Sequence, residues 1–291
     1  MLRIFLIATT DLASERALQV ERLVSSIAGQ ATEVRQRTRL ILILQNATEE
    51  RLGRIAVFPE FVDIVAVGTR LSLAGARNVV LRRLLDECVL TAETLVAYPD
   101  DDCWYTPDYL LRISDLFTAH TRLGFWFCNF ASSPIPSSEI SGRPALAHDV
   151  VRKAASITLF VRGNVASAVG LFDETLGVGT ANSGGEDTDY ALRAFLVSPS
   201  TWIFDAALVG HRDRGAGPRP EYYRGSLIAL AKHAPLRLGI AAELVRKVAV
   251  GGVLVFRRQL PLGNFLDALR QAAGARSKLR GRRVSLLNGP R

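Results

Sequence analysis

Residues 98–104 read Tyr-Pro-Asp-Asp-Asp-Cys-Trp, so three consecutive carboxylates directly follow the apolar run 94–98. Adjacent like charges repel one another, and Pro99 restricts the backbone just before them. A fold that presents all three at the end of a buried strand therefore needs a cation to neutralise them. Carboxylate oxygens suit Mg²⁺ or Mn²⁺, which bind them together with phosphate oxygens and water. The stretch predicts a divalent-metal site that accepts a diphosphate.

Apolar runs alternate with amphipathic segments through the first two thirds of the chain. Segments 11–27 and 72–85 place apolar residues near helical spacing, and each is followed by an apolar run of strand length. Near-continuous apolar strands separated by helices indicate a mostly parallel sheet with helices on both faces. The sequence therefore predicts an α/β, Rossmann-like fold with strands at residues 3–9, 38–45, 62–67, 95–98, 124–130, 156–161 and 202–205.

Polar side chains stand at the ends of the first four predicted strands. Thr9, Asn46 and Thr69 follow the first three strands, and the aspartates at 100–102 follow the fourth. In open α/β sheets, ligands bind beyond the carboxyl ends of the strands, where these residues collect. We expect a nucleotide to bind at this edge, with ordinary loop polarity as the alternative.

A second acidic segment follows a glycine-rich stretch at residues 177–185. Glu186, Asp187 and Asp189 open the next helix, and one carboxylate there suffices as a general base that removes a proton from a hydroxyl. Acidic residues in the first turn of a helix also stabilise the helix dipole without any catalytic part. Both interpretations stay open for Asp187, whereas we assign Asp189 to the helix start.

Three motifs, taken in order, resemble the family 2 glycosyltransferases of the GT-A fold: the acidic stretch 98–104, Gly-Glu-Asp-Thr-Asp at 185–189, and Gly-His at 210–211. The resemblance covers residues 1–215 and extends to the helix that carries Arg77. It implies an inverting, metal-dependent enzyme that moves a sugar from a nucleoside-diphosphate donor, with UDP favoured, to a hydroxyl of a glycan or lipid-linked acceptor. Such enzymes make polysaccharides and other glycoconjugates.

The resemblance also assigns roles to the acidic residues. Asp100 is expected near the nucleoside ribose and Asp102 at the metal, while Asp101 supports either contact. In the second motif, Asp187 becomes the catalytic base and Glu186 orients the acceptor. The metal neutralises the charge that develops on the departing nucleoside diphosphate.

Further candidate residues lie outside the two acidic motifs. His211 matches the family's C-terminal metal ligand, and Arg77 either contacts the diphosphate or decorates its helix. Thr9 and Asn46 are assigned to the donor nucleotide, although the family's second strand usually ends in Asp-Asp or Asp-Asn and this one ends in Gln45-Asn46. Trp104 either stacks on a sugar ring of the acceptor or anchors the acidic turn from below.

Two other classes of protein fit parts of this pattern. A nucleotidyltransferase also places an acidic cluster and a nucleotide at strand ends, but it carries a glycine-rich, basic loop after the first strand. Residues 9–15 read Thr-Thr-Asp-Leu-Ala-Ser-Glu and are neither. A non-catalytic sugar-nucleotide or membrane-surface binding protein has no need of a base, so Asp187 counts against that class.

Composition indicates a folded protein of a reducing compartment. Hydrophobic residues make up 48% and charged residues 22% of the chain, which is typical of globular proteins. Cys88, Cys103 and Cys128 form neither a disulfide framework nor a metal-ligand spacing. The apolar runs are far shorter than the roughly 20 residues that cross a bilayer. We therefore expect a cytoplasmic protein.

The net charge of +8 is distributed unevenly. Residues 1–210 hold 19 Lys and Arg against 24 Asp and Glu, whereas residues 211–291 hold 17 against 4. The sequence thus divides into a catalytic domain at 1–215 and a basic, helical C-terminal extension at 216–291. Within the extension, helices are expected at 222–234, 240–250 and 265–273, separated by Pro235, Gly251-Gly252 and Pro261.

Basic and apolar side chains are interleaved in the extension. This combination suits a surface that faces anionic lipid, whereas helices packed on the domain with solvated arginines are the alternative. Nucleic acid is not expected, because the catalytic domain is net acidic and no nucleic-acid-binding motif is present. We predict peripheral attachment at the inner face of the cell membrane through Arg246, Lys247, Arg257, Arg258, Arg270, Arg276, Lys278, Arg280, Arg282 and Arg283.

Overall fold

A computed structural model describes residues 2–55, 57–137, 139–212 and 220–287, with side chains described to residue 275. These residues form one nine-stranded sheet that organises the first two thirds of the chain. The strands are β1 (Arg3–Asp11), β2 (Thr38–Gln45), β3 (Val62–Val67), β4 (Thr94–Ala97), β5 (Trp104–Tyr105), β6 (Leu123–Ala131), β7 (Arg143–Pro144), β8 (Leu159–Arg162) and β9 (Ser200–Gly210).

Helices flank the sheet and also form the C-terminal part of the chain. Short 3₁₀ turns at Ser156–Thr158, Pro220–Tyr222 and Ala234–Leu236 precede β8, α9 and α10. The helices are α1 (Ala17–Ala28), α2 (Thr32–Arg35), α3 (Glu49–Leu52), α4 (Leu73–Asp86), α5 (Tyr109–Ala119), α6 (Ala147–Lys153), α7 (Gly163–Val169), α8 (Glu186–Val197), α9 (Tyr223–His233), α10 (Leu238–Phe256) and α11 (Leu262–Leu287).

The sheet is mixed, and its parallel half matches the sequence prediction. The strand order is β3-β2-β1-β4-β8-β6-β9-β5, and β7 pairs with β9. Strands β3, β2, β1 and β4 are parallel, whereas β8 runs antiparallel to both β4 and β6. The predicted α/β fold with a Rossmann-like parallel core is therefore confirmed. The antiparallel insertion of β8 is a feature that the apolar pattern does not indicate.

The bounds of β8 and β9 differ most from those that the sequence predicts. The segment predicted as a strand from 156 begins with the 3₁₀ turn Ser156–Thr158, so β8 starts only at Leu159. Strand β9 is longer than predicted and ends at Gly210, because it pairs with β6 and then with Trp104 of β5. This last pairing brings the end of β9 beside the acidic turn that follows β4.

Both faces of the sheet are covered, which explains the uninterrupted apolar runs. In β1, Phe5 and Ile7 belong to a core cluster with α4, whereas Leu6 and Ala8 belong to a cluster with α1 on the opposite face. Successive side chains of a strand point to opposite faces, so a doubly covered strand must be apolar throughout. The packed sheet holds the loops at its carboxyl edge in place.

The three helices predicted in the C-terminal extension are present: α9 is one residue shorter at each end than predicted, whereas α10 and α11 are longer. Helix α10 continues through Gly251 and Gly252, so the prediction that these glycines separate two helices is wrong. Gly251 instead permits close approach of α9, since a Cβ there would lie 2.1 Å from Tyr223 Oη. The predicted basic side chains at 276–283 lie outside those that the structure describes. No described helix is long and apolar enough to cross a membrane.

Candidate active site

The acidic turn follows β4 at the carboxyl edge of the sheet. Asp101 and Asp102 are buried, whereas the Asp100 side chain is 35% exposed and lines a cleft. The Cys103 backbone N–H donates to Asp100 O at 3.1 Å and closes the turn. Desolvation raises the pKa of Asp100 to about 6, although the nearby Arg77 opposes this change.

Arg77, on α4, joins the acidic turn to the start of α8. Its side chain is 1% exposed; Nη2 donates to Asp100 Oδ1 and Nη1 donates to Asp187 Oδ1, both at 3.1 Å. Nη2 also donates to Ser156 Oγ at 3.0 Å. Both terminal nitrogens are thus bonded within the protein, which favours positioning of the two carboxylates as the role of Arg77. Its contact with a diphosphate stays a prediction.

Glu186 and Asp187 enter the cleft from the first turn of α8. Gly185 precedes them with a φ of 90°, a left-handed conformation that glycine adopts without strain. Asp187 Oδ2 accepts from the Ser156 backbone N–H at 3.1 Å, while its other oxygen faces Arg77. Burial, and then the charge of Asp187, raises the pKa of Glu186 to about 7. Glu186 is therefore partly protonated at neutral pH.

Asp102, Cys103 and His211 bring possible metal-ligand atoms within 4.8 Å of one another. The pairing of β5 with β9 carries His211 to the acidic turn. His211 Nδ1 lies 2.8 Å from Arg212 O, and Nε2 lies 3.1 Å from Asp102 Oδ1. Nε2 is buried and has no partner with hydrogen-bond geometry among the described residues. An imidazole that donates through Nδ1 keeps the Nε2 lone pair for a metal.

Two of these three residues offer donor atoms that fit a hard divalent cation. A carboxylate oxygen of Asp102 and the imidazole nitrogen of His211 are ligands that Mn²⁺ and Mg²⁺ accept. Thiolate sulfur is a soft ligand that suits Mg²⁺ and Mn²⁺ less well, and burial also raises the pKa of the Cys103 thiol well above its usual range. Asp102 and His211 would therefore hold the cation, with water and phosphate oxygens as its other ligands.

Three arginines that the sequence analysis did not single out contact the acidic turn. Arg16 Nη1 lies 2.6 Å from Asp101 Oδ1, and Arg212 Nη1 lies 3.5 Å from Asp102 Oδ2. Arg22, on α1, donates from Nη2 to Asp102 O at 2.8 Å. Because 85 and 80 residues separate Arg16 and Arg22 from their partners, no local pattern signals these contacts. The arginines supply positive charge that offsets the negative charge of the three aspartates.

Trp104 packs beside the acidic turn. A Cβ at Gly210 would come within 2.0 Å of Trp104 Cε2, so only glycine lets the indole lie so close to the backbone of β9. The guanidinium carbon of Arg22 lies over the indole ring of Trp104, 3.8 Å from the ring centroid. Contacts of this kind favour the role of an anchor for the turn. The acceptor contact of Trp104 stays a prediction.

Asn46 directly follows β2, as the sequence predicts, whereas Thr9 lies inside β1, two residues before that strand ends at Asp11. Thr9 Oγ1 accepts from Gln45 Nε2 at 2.9 Å, and Asn46 Nδ2 donates to Asp11 Oδ1 at 2.7 Å. Asp11 thus places a carboxylate beside Asn46, at the end of the strands where the family that the sequence resembles carries an acidic residue. The sequence analysis missed it because the first strand was expected to end at Thr9, with Asp11 in the following helix.

The cleft between the acidic turn and α8 has a volume of 440 Å³. It is lined by four of the predicted site residues, Asp100, Glu186, Asp187 and His211, and the buried Asp102 lies directly behind His211. Thr9 and Asn46 lie outside this lining. The structure therefore gathers the predicted catalytic and metal residues and Asp100 at one place, with Thr9 and Asn46 further along the same sheet edge.

Helix α9 holds α8 through the buried Asp189. Arg193 Nε donates to Asp189 Oδ2 at 2.9 Å, His233 Nε2 lies 2.9 Å from Asp189 Oδ1, and Lys232 Nζ also donates to that oxygen. Burial acts to raise the pKa of Asp189, but these partners, His233 foremost, hold it far below its usual range. Because 44 residues separate His233 from Asp189, no local pattern signals this contact. The domain boundary after residue 215 stays a prediction, although α9 beyond it supports the helix of the candidate base.

The mixed sheet, with an acidic turn after β4, an acidic start of α8 and a histidine after β9, defines the GT-A fold. One similar solved structure is TarS residues 1–349 from S. aureus in complex with UDP-GlcNAc. It aligns with a TM-score of 0.66 and 15% identity over 94% of this chain and 81% of that chain. A longer structure of S. aureus TarS aligns with a TM-score of 0.60 and 12% identity over 84% of this chain, which spans only 43% of that one.

GalNAc-T7 with UDP, GalNAc and Mn²⁺ is a further structural neighbour. It aligns with a TM-score of 0.54 and 14% identity over 79% of this chain and 48% of that chain. No protein-family profile matches the sequence, and no curated protein matches it either. The comparisons therefore establish the GT-A fold, and they do so through the shape of the backbone.

Proposed function

We propose that this protein is an inverting, metal-dependent glycosyltransferase. It moves a sugar from a nucleotide-sugar donor, with UDP as the nucleotide, to a hydroxyl of a glycan or lipid-linked acceptor in polysaccharide or glycoconjugate biosynthesis. The observation that carries this proposal is the pair of carboxylates, Asp100 and Asp187, that Arg77 holds at one cleft. The neighbours solved with UDP-GlcNAc and with UDP, GalNAc and Mn²⁺ support the same class of donor.

Asp187 is the proposed catalytic base. Its side chain is 29% exposed in the cleft, so a hydroxyl can reach it, and Arg77 and the Ser156 N–H hold its orientation. A base in a fixed orientation removes the acceptor proton while the oxygen attacks the anomeric carbon from the face opposite the diphosphate. The new glycosidic bond forms as the bond to the diphosphate breaks, which inverts the configuration.

Asp102 and His211 would hold Mg²⁺ or Mn²⁺ at the other side of the cleft. When bound, the cation neutralises charge on the diphosphate leaving group. Arg16 lies beside Asp101 and Arg212 lies beside Asp102, and both balance the negative charge of the turn. Asp100 would contact the donor ribose, and its bond to Arg77 connects donor binding to the orientation of the base.

Glu186 is the proposed acceptor contact. Because its pKa of about 7 keeps it partly protonated near neutral pH, it can donate a hydrogen bond to one acceptor oxygen as well as accept one. At the donor end, Thr9 and Asn46 would face the nucleotide. Asp11 lies beside Asn46 and can accept a hydrogen bond from a nucleobase N–H, since a carboxylate is an acceptor at both oxygens.

A donor screen tests the proposal. Release of the free nucleoside diphosphate would be measured for UDP-, GDP- and dTDP-sugars with Mg²⁺ and with Mn²⁺, for the wild type and Asp187→Asn. We expect metal-dependent release of UDP by the wild type and little by the variant. Release of pyrophosphate from a nucleoside triphosphate and a sugar phosphate would instead indicate a nucleotidyltransferase. Tight donor binding without any turnover would indicate a binding protein.

The proposed location is the cytoplasmic face of a membrane, to which the protein binds peripherally. A lipid-linked acceptor lies at that surface, and the basic C-terminal helices carry the charge that attracts anionic lipid.

A further inference from the structure

Helix α10 exposes an apolar stripe along its whole length. Its outward residues recur at intervals of three and four, which places them on one face of a helix about 27 Å long. Seven residues form this stripe, and none of them carries a charge or a polar side-chain atom. They are Leu238, Ala242, Val245, Ala249, Gly252, Val253 and Phe256.

The large side chains of this stripe are well exposed. Leu238 is 90% exposed, Val245 70% and Phe256 88%. The opposite face of α10 is also largely apolar and packs against α6, α9 and α11. A helix at the surface of a soluble domain normally turns polar residues toward water. The exposed face of α10 therefore has the composition of a contact surface rather than of a solvated one.

Positive charge lies at both ends of the stripe. Arg237 precedes it, while Arg257 and Arg258 follow it, and all three are exposed. Residues 237–270 contain six Lys or Arg and only two acidic residues. Of those two, Glu243 is buried and paired with Arg152 and Arg246, and Asp267 pairs with Arg270.

We infer that α10 lies on an anionic lipid surface with its apolar stripe inserted between the headgroups. Apolar side chains flanked by arginines match the chemistry of such an interface, where lipid phosphates meet the basic ends and acyl chains meet the stripe. A second copy of the chain fits less well. In an antiparallel pair of α10 helices, Arg237 of each copy would face Arg257 and Arg258 of the other, and like charges repel.

The stripe leads toward the catalytic cleft, and this part of the inference rests on the proposed function. Arg237, Gly239 and Ala242 line a cavity of 630 Å³ that also contains Arg152. Arg152 lines the catalytic cleft as well. A membrane at α10 thus borders a space adjacent to the active site. The acceptor class that this arrangement favours is a glycan or alcohol carried on a lipid phosphate.

Flotation of the full-length protein with lipid vesicles tests the inference. Vesicles of phosphatidylglycerol mixed with phosphatidylcholine would be compared with vesicles of phosphatidylcholine alone. Val245→Ser and Phe256→Ser change exposed side chains and should preserve the fold, and Leu18→Ser on α1 is the matched control because Leu18 is 77% exposed. A cut near residue 219 is unsuitable, since it removes the partners that α9 supplies to Asp189.

We expect the wild type and Leu18→Ser to float with anionic vesicles, and each stripe variant to partition about tenfold less. Binding should also fall near 1 M NaCl, where the Debye length is about 3 Å. Equal flotation of all variants, or no flotation of the wild type, would overturn the inference. So would a wild-type dimer in sedimentation analysis without lipid that Phe256→Ser converts to a monomer. Asp187→Asn should float like the wild type, because flotation does not depend on the proposed base. Flotation therefore tests the membrane contact, and nucleotide release tests the proposed function.

Discussion

Asp187 and Arg77 lie 110 residues apart in the chain, yet Arg77 Nη1 donates to Asp187 Oδ1 at 3.1 Å. The second terminal nitrogen of the same guanidinium reaches Asp100 on the acidic turn. One buried cation therefore sets the distance between the proposed base and the proposed donor-binding carboxylate. Five planar N–H groups allow arginine to contact two carboxylates at once, which the single ammonium of lysine does poorly.

Arg77→Lys should lower kcat by about 10²-fold because the base loses its orientation, and it should raise the KM for the donor to a smaller extent because Asp100 loses the same partner. Steady-state kinetics of nucleotide release measure both quantities. Arg83→Lys is the matched control, since Arg83 lies on the same helix but is exposed and paired with Glu87. A raised donor KM with unchanged kcat would instead show that Arg77 contacts the diphosphate.

Asp187→Asn should lower kcat by roughly 10² to 10⁴ while donor binding stays nearly intact, because the amide cannot accept the acceptor proton. Calorimetric titration with UDP separates binding from turnover. Asp205→Asn serves as the control, because Asp205 is a partly exposed carboxylate that pairs with Arg143 and Lys153. If Asp187→Asn instead lost affinity for UDP while kcat stayed unchanged, Asp187 would have only a structural role.

EDTA and Asp102→Ala should each abolish transfer. Binding of Mn²⁺ to the protein, followed by electron paramagnetic resonance, should weaken at least about tenfold in His211→Ala. Cys103→Ala should bind Mn²⁺ as the wild type does, because a hard cation prefers the oxygen and nitrogen donors of Asp102 and His211 to sulfur. Full turnover after chelation would contradict the metal assignment. Weakened Mn²⁺ binding in Cys103→Ala would show that the sulfur is a ligand.

Asp189→Asn should lower the free energy of unfolding by roughly 3 kcal/mol, because it leaves the cations that surround a buried carboxylate without their partner. The pKa of Asp189 is depressed in the folded protein, so its contribution is present above the unfolded pKa of about 3.9 and is lost as the pH falls below it. Urea denaturation from pH 7 to pH 3 measures this. The variant should lose less stability than the wild type, and parallel curves would contradict the assignment.

Glu186→Gln should stabilise the protein at high pH and not at low pH. The pKa of Glu186 is raised to about 7 in the folded protein, so its burial is unfavourable once the carboxyl ionises. The wild type should therefore lose stability relative to the variant as the pH rises from about 4.3 to 7. Urea denaturation of both proteins at several pH values measures the difference. A constant difference across this range would show that folding does not raise the pKa of Glu186.

Local pattern was sufficient to predict much of this fold. The bounds of β2 and β3, the helix that carries Arg77 and the apolar core on both sheet faces follow from periodicity, because a strand or a helix is largely decided by neighbouring residues. The two acidic motifs and the histidine after the last long strand were also evident. Asp100, Glu186, Asp187 and His211 do meet at one cleft, because the carboxyl ends of the strands share an edge.

Contacts between distant segments were decided only by the tertiary structure. Arg16 beside Asp101, Asp11 beside Asn46 and His233 beside Asp189 join residues 35 to 85 positions apart. No periodic pattern indicates such pairs, since each pair depends on how helices and strands pack against one another. The helix or strand propensity of the residues themselves does not determine it. The sequence by itself therefore determined the elements and the chemical groups at their ends. Packing alone determined which cation faces which carboxylate, because that depends on where the rest of the chain is placed.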